Sequence, residues 1–180
     1  MKIAILGWGS LIWERGSLAR QVRGKWKSGG PELPLEFSRK SASRDGALTL
    51  VIDSTHGQAS STRFITSSRR TLEKARLDLK ERESVLSVDS IGYVDVTAGN
   101  SGGATKEILN AIRKWASKMG YDAVIWTALQ SNFDDFTVER AVQYLRDLPV
   151  RGNRKAKEYI ENAPPEVDTP LRRYVSGVEW

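Results

Sequence analysis

The chain has 180 residues, a length that suits one globular domain, and its 39% hydrophobic and 28% charged composition supplies enough apolar side chains for a packed core. The absence of cysteine excludes disulfide scaffolds, thiol nucleophiles and Cys-ligated zinc; with His56 as the only histidine, any Ser-His-Asp triad must run through that residue. A net charge of +6, from 28 basic and 22 acidic side chains, permits anionic partners without requiring them.

In chain order, Lys2-Ile3-Ala4-Ile5-Leu6 is a short apolar run that ends at Gly7 and predicts a buried strand feeding a turn. It is too short for a secretory h-region, and Glu14 and Arg15 follow early, so the expectation is a cytoplasmic chain. No run reaches the ~18 apolar residues of a membrane span, so no membrane partner is expected. Residues 15–30, with Arg15, Arg20, Arg23, Lys25 and Lys27, read as a basic connection with a helical turn. Strands are predicted over Leu33–Phe37 and Ala47–Ile52, separated by the turn-forming Asp45-Gly46, and a weaker one over Ser60–Thr66.

Helical spacing begins at Ser68–Glu83, where Leu72, Ala75 and Leu79 share a face. A strand at Ile91–Val96 and a glycine-rich loop at Thr97–Gly103 lead to a second helix, Ala104–Met119, with Ile108, Ile112, Trp115 and Met119 on one stripe and Gly120 beyond its end. Ala123–Leu129 reads as a strand buried on both faces. A third helix carries Val138, Ala141, Val142 and Leu145, with Asp134-Asp135 capping its start and Pro149 stopping it. A fourth spans Arg154–Asn162, and the tail to Trp180 has no clear pattern. The expected class is α+β, in one domain over 1–180.

Two features carry chemistry. Gly7-Trp8-Gly9-Ser10-Leu11 follows the first strand, and two glycines there let backbone approach a ligand while successive N–H groups form a nest for a carboxylate or oxyanion; a plain strand-capping turn is the alternative. The spacing is not a dinucleotide fingerprint, because Ile12 stands where the third glycine is required, and neither a P-loop nor a G-x-S-x-G elbow is present. The second feature is Leu79-Lys80-Glu81-Arg82-Glu83. At about 100° per residue, Glu83 lies about 20° around the helix from Leu72 and Glu81 about 180° away. One glutamate therefore faces solvent and the other the interior, where desolvation would raise its pKa and suit it to proton transfer. The competing account is a last turn in which Glu83 pairs with Arg82 or Arg76.

Together these features resemble the γ-glutamylcyclotransferase family, in particular its ChaC-like and AIG2-like branches. The family opens with a strand and a Tyr-Gly-Ser-Leu loop often continued by Leu-Ile-Trp; this chain has Gly7-Trp8-Gly9-Ser10-Leu11-Ile12-Trp13. Leu35-Glu36-Phe37-Ser38 and Gly46 to Val51 are similar to its next two strands, and Leu79–Glu83 to the Leu-x-x-Arg-Glu run that bears its catalytic glutamate. Gly152-Asn153 with Glu158-Tyr159 is similar to a late ChaC segment. Trp8 replaces the usual tyrosine, Ser84 follows the glutamate where compact members have glycine, and 97–150 reads as a family-divergent stretch.

The resemblance implies a mixed sheet closing toward a small β-barrel with packed helices. It implies release of 5-oxoproline from a small γ-glutamyl substrate, as in glutathione metabolism, with Glu83 as general base and acid and Gly7, Trp8, Gly9, Ser10 and Leu11 as the substrate-binding turn. It implies no metal and no organic cofactor. Two other readings stay open: a non-catalytic small-molecule binder on the same fold, and, least supported, a nucleic-acid binder using Arg15–Lys27 with Trp26 and Arg151–Lys157. His56 reads as an exposed loop residue, and Arg172-Arg173 as a pair able to attract a carboxylate.

Overall fold

The computed structural model describes residues 1–180. Strands β1 (Ile3–Gly7), β2 (Val22–Lys27), β3 (Glu32–Lys40), β4 (Leu48–Ile52), β5 (Gln58–Ser61) and β6 (Arg63–Ser67) precede helix α1 (Leu72–Glu83). After them come β7 (Ile91–Asp95), β8 (Ser101–Gly102), α2 (Lys106–Met119), β9 (Ala123–Thr127), α3 (Val138–Asp147), α4 (Val150–Asn162) and α5 (Pro170–Val175). The class is α+β with a mixed sheet. The chain divides into two compact units, each assembled from separate segments: Met1–Gly7, Leu11–Glu32 and Ser61–Leu129 in the first, Trp8–Ser10, Leu33–Ser60 and Gln130–Trp180 in the second. The stretch 97–150 is thereby shared, with β8, α2 and β9 in the first unit and α3 in the second.

The first unit is a six-stranded sheet in the order β2-β6-β1-β9-β7-β8. β1 lies antiparallel to β6 and parallel to β9. Because side chains alternate along a strand, the register sorts its residues onto two faces. Ile3, Ile5, Ile65, Ala123 and Ile125 join Ala75 and Leu79 of α1 in one buried cluster. On the opposite face Phe64 stacks edge-on against Trp115 of α2, which lies parallel to the Tyr121 ring at 5.7 Å. No closed barrel forms. β2 and β8 each have a neighbour on one side only, and both faces of the sheet are covered by helices, so the strands have no lumen to enclose.

The second unit holds a three-stranded sheet with β3 in the middle of the order β4-β3-β5. Asp45 and Gly46 turn the chain between β3 and β4 with φ of 53° and 85°, a left-handed pair that the Asp-Gly sequence tolerates. α4 packs on β4 and α3, and α3 on α5. Its core mixes Leu33, Leu35, Phe37, Leu145 and Leu171 with buried Glu36, Ser38, Asp53, Ser60 and Thr169.

Four expectations change. The basic connection contains β2, whose Val22 and Trp26 pack on the core while Arg23, Lys25 and Lys27 stay exposed, an edge strand read past because of its charge. The single strand expected over Ser60–Thr66 is two, β5 and β6, in different sheets. The break falls at Thr62, which is buried and whose N–H and hydroxyl both bond the Pro31 carbonyl while its own carbonyl accepts from Gly30. α3 is capped by the Thr137 hydroxyl, which accepts from the Arg140 N–H, whereas Asp135 forms an ion pair with the Arg140 side chain. α4 begins at Val150, directly after Pro149, where proline's fixed φ suits a helix start.

Candidate functional site

The turn after β1 is largely buried. Gly7, Trp8, Gly9 and Leu11 are buried, and only Ser10 is partly exposed. Neither Gly7 nor Gly9 takes a positive φ, so left-handed backbone is not what calls for glycine here. Close approach is what requires them. A Cβ at Gly7 would stand 2.7 Å from the Trp26 ring, and one at Gly9 would collide with the Tyr159 hydroxyl of α4. Trp8 is spent on structure: its indole N–H donates to the Leu50 carbonyl at 3.3 Å.

The turn leaves the carboxyl end of β1, which runs parallel to β9, the one parallel pair in the sheet. In open sheets, ligands gather beyond the carboxyl ends of such strands.

Glu83 closes α1. Its side chain is 14% exposed, whereas Glu81 is exposed, as the helical arithmetic requires. The carboxylate does not stand alone: Arg82 donates to it. The same guanidinium donates to the Glu14 carbonyl, three residues past Leu11, and Leu11 itself lies in the cluster that contains Leu79. The end of α1 is thus tied to the segment on which the turn closes. Gly7 and Leu11 belong to the same unit as Glu83, while Trp8, Gly9 and Ser10 belong to the second. Arg76, the other arginine considered as a partner, instead donates to the Val88 and Ile91 carbonyls and lies over Tyr93.

The remaining candidates are engaged in holding the fold. Asp53 accepts from the Thr55 and His56 N–H groups, from the Ser38 hydroxyl at 2.7 Å, and faces the His56 ring at 3.3 Å. Burial pushes its carboxyl up, but these hydrogen bonds together hold it below the ordinary carboxylate value. Ser38 therefore donates to the acid and not to the imidazole, an order that cannot work as a Ser-His-Asp relay. His56 is 38% exposed and sits in this loop as expected. Arg172 donates to the carbonyls of Ala163, Pro164 and Val167, and Arg173 pairs with Asp168, so the pair expected to attract a carboxylate is already consumed.

Sequence reasoning passes over two residues that meet in the second unit, Tyr159 beside Gly9 and Arg44 over the Tyr159 ring. Arg44 carries no motif or periodicity that marks it. Tyr159 was visible only through the late ChaC-like segment, although Gly152, Ala156, Tyr159 and Ile160 do mark the buried face of α4. No helix is long and apolar enough to cross a membrane. Comparison of the chain with protein-family models, with curated proteins and with solved structures finds no match.

Proposed function

We propose that the chain is a γ-glutamylcyclotransferase-like enzyme that acts on a small γ-glutamyl amide, with Glu83 as its proton-transfer group and Gly7–Leu11 as its substrate turn. The observation that carries the reading is the position of Glu83: a carboxylate withdrawn from solvent, its partner Arg82 bonded to Glu14, 68 residues away in sequence and just beyond the turn.

In this reaction the α-amine of the glutamyl group attacks its own γ-carbonyl carbon. The new C–N bond closes a five-membered lactam, the old amide C–N bond breaks, and 5-oxoproline leaves with a free amine. Glu83 takes the proton from the attacking nitrogen and returns it to the leaving one, so no net proton is consumed. Backbone N–H groups of the turn stabilise the charge that grows on the carbonyl oxygen. Because the attack is intramolecular, holding the substrate folded supplies much of the rate. Under this reading the fold is an opened form of the family's barrel, and the enzyme works in the cytoplasm.

The ion pair with Arg82 favours a second reading, a small-molecule binder in which Glu83 is engaged and idle. The two are separated by measuring 5-oxoproline release from a panel of γ-glutamyl amino acids, γ-glutamyl amines and glutathione, for wild type and Glu83→Gln. The expected result is turnover of at least one compound by wild type and a loss of about 100-fold or more in the folded variant. Equal rates in the two proteins would remove Glu83 from the mechanism. No release by wild type, with retained binding of 5-oxoproline, would leave the binder.

A further inference from the structure

The cations that the sequence groups together part company in the fold. Arg151 and Lys155 are held by Asp45 in the second unit, and Trp26 packs inward on the cluster that contains Leu79 of α1. What is left is a face of the first unit. Arg23, Lys25 and Lys27 are exposed on β2, an edge strand. Register sets Arg23 beside Thr66 and Lys27 beside Phe64. Both neighbours look toward the α2 side of the sheet: the Thr66 and Tyr121 hydroxyls meet at 2.8 Å, and Phe64 meets Trp115 edge-on.

α2 supplies a second row. The Trp115 indole N–H donates to the Gly29 carbonyl at 2.8 Å, which fastens this flank of the helix to the chain just after β2. At about 100° per residue, Lys118 and Lys114 fall about 60° and 100° from Trp115 on the side away from the buried Ile112 and Ala116. Arg113 points to the opposite flank, where it donates to the Asp95 and Gly99 carbonyls. No acid interrupts the face: residues 15–31, 61–72 and 108–121 hold Lys and Arg but neither Asp nor Glu. Glu107 stands on the same flank at the first turn of α2, where its own N–H and the Thr105 hydroxyl engage it. Arg23, Lys25, Lys27, Lys114 and Lys118 are exposed and in no ion pair. Charge on an edge strand guards against edge-to-edge pairing, but that role calls for no second row on a helix.

The two rows share a pitch. Alternate residues of a strand are about 6.6 Å apart, and residues four apart on a helix about 6 Å. One strand of a stacked duplex presents a phosphate about every 3.4 Å along its axis, so the rows suit an extended single strand better. β2 is a poor template for an added peptide strand, because its pairing shifts between Arg23 and Lys27 and Gly24 takes a φ of 79°. We infer that the β2–α2 face binds the phosphate backbone of a single-stranded nucleic acid without reading its sequence. The inference stands apart from the cyclotransferase reading.

The test is fluorescence anisotropy of a labelled oligo(U) of about 20 nucleotides with the full chain, across a range of salt concentrations. Five neutralised phosphates on a single strand predict a slope of log K against log salt of about −3.5. Arg23→Gln/Lys25→Gln/Lys27→Gln should lower its magnitude by about 2 and Lys114→Gln/Lys118→Gln by about 1.4, whereas Arg151→Gln/Lys155→Gln should leave it unchanged. Every substituted side chain on the face is exposed, and melting curves establish that each variant is folded. No salt-dependent binding by wild type, an unchanged slope in either the β2 or the α2 variant, or an equal drop in Arg151→Gln/Lys155→Gln would overturn the interface. Tighter binding of an RNA duplex of equal length, or binding confined to vesicles containing phosphatidylserine, would overturn it in favour of that partner.

Discussion

The six-stranded sheet of the first unit presents aliphatic and aromatic side chains to a helix on each face, whereas the three-stranded sheet of the second has ionisable and hydroxyl groups inside its core. Glu36, on the central strand β3, is fully buried; its carboxylate accepts from the Phe37 N–H at 2.7 Å and the Leu171 N–H at 3.3 Å. Burial pushes its carboxyl above the ordinary value of 4.5, opposed by hydrogen bonds from Thr169, Phe37 and Leu171. An apolar core tolerates any pH but demands shape. A polar one relaxes the demand on shape and makes stability depend on protonation. The second unit follows the latter course because β3 must hold α5, whose Leu171 N–H has no helical partner at the first turn.

The sharpest way to break this contrast is Trp126→Ala in the first unit. The side chain is fully buried on β9 and packs against Gly92, where no Cβ fits beneath its indole. A loss of about 3–5 kcal/mol is expected, the same at pH 5 and pH 8, measured by denaturant unfolding. Leu79→Ala on α1 should cost about 2–5 kcal/mol with the same indifference to pH.

In the second unit, Glu36→Ala should cost about 1–3 kcal/mol by stranding the Phe37 and Leu171 N–H groups. Its pH signature is more telling. A carboxyl raised in the folded state contributes fully below its unfolded value of 4.5, and that contribution fades as pH rises through the folded value. Glu36→Gln should therefore flatten stability against pH above 4.5 relative to wild type, even where its absolute stability is lower. An unchanged slope would mean that Glu36 is charged in the folded protein. The smallest effect is expected for Arg69→Gln, which removes a two-pronged ion pair with Asp78 at 2.6 and 2.9 Å. A pair on an exposed arginine contributes little, so the change in denaturant midpoint should be the smallest of the set and smaller still in high salt.

Much of this architecture is written in periodicity. β1, β9, α1, α2 and α3 were legible because runs such as Ile3–Leu6 and the spacing of Leu72, Ala75 and Leu79 report burial on one face or two. Met119, placed on the apolar stripe of α2, is 39% exposed at the last position of that helix. β2 stayed hidden because an edge strand exposes one side and here fills it with charge. The break at Thr62 depends on hydrogen bonds to Pro31 and Gly30, about thirty residues back, which no local pattern announces. At the candidate site, the inward turn of Glu83 followed from helix geometry alone. The approach of Tyr159 to Gly9 did not, because it joins residues 150 apart in sequence, one of which has no side chain to mark it.

The strand order carries a consequence for biosynthesis. β1 lies between β6 and β9 and is made before both, so one of its flanks waits for residues 63–67 and the other for residues 123–127. Until those residues are made, Ile3–Gly7 is an apolar ribbon with unpaired amides, open to pairing with another nascent copy. Closing such distant pairings is intrinsically slow. The yield of native protein in cells should therefore respond to holding chaperones and to growth temperature more than to the equilibrium stability of the folded molecule.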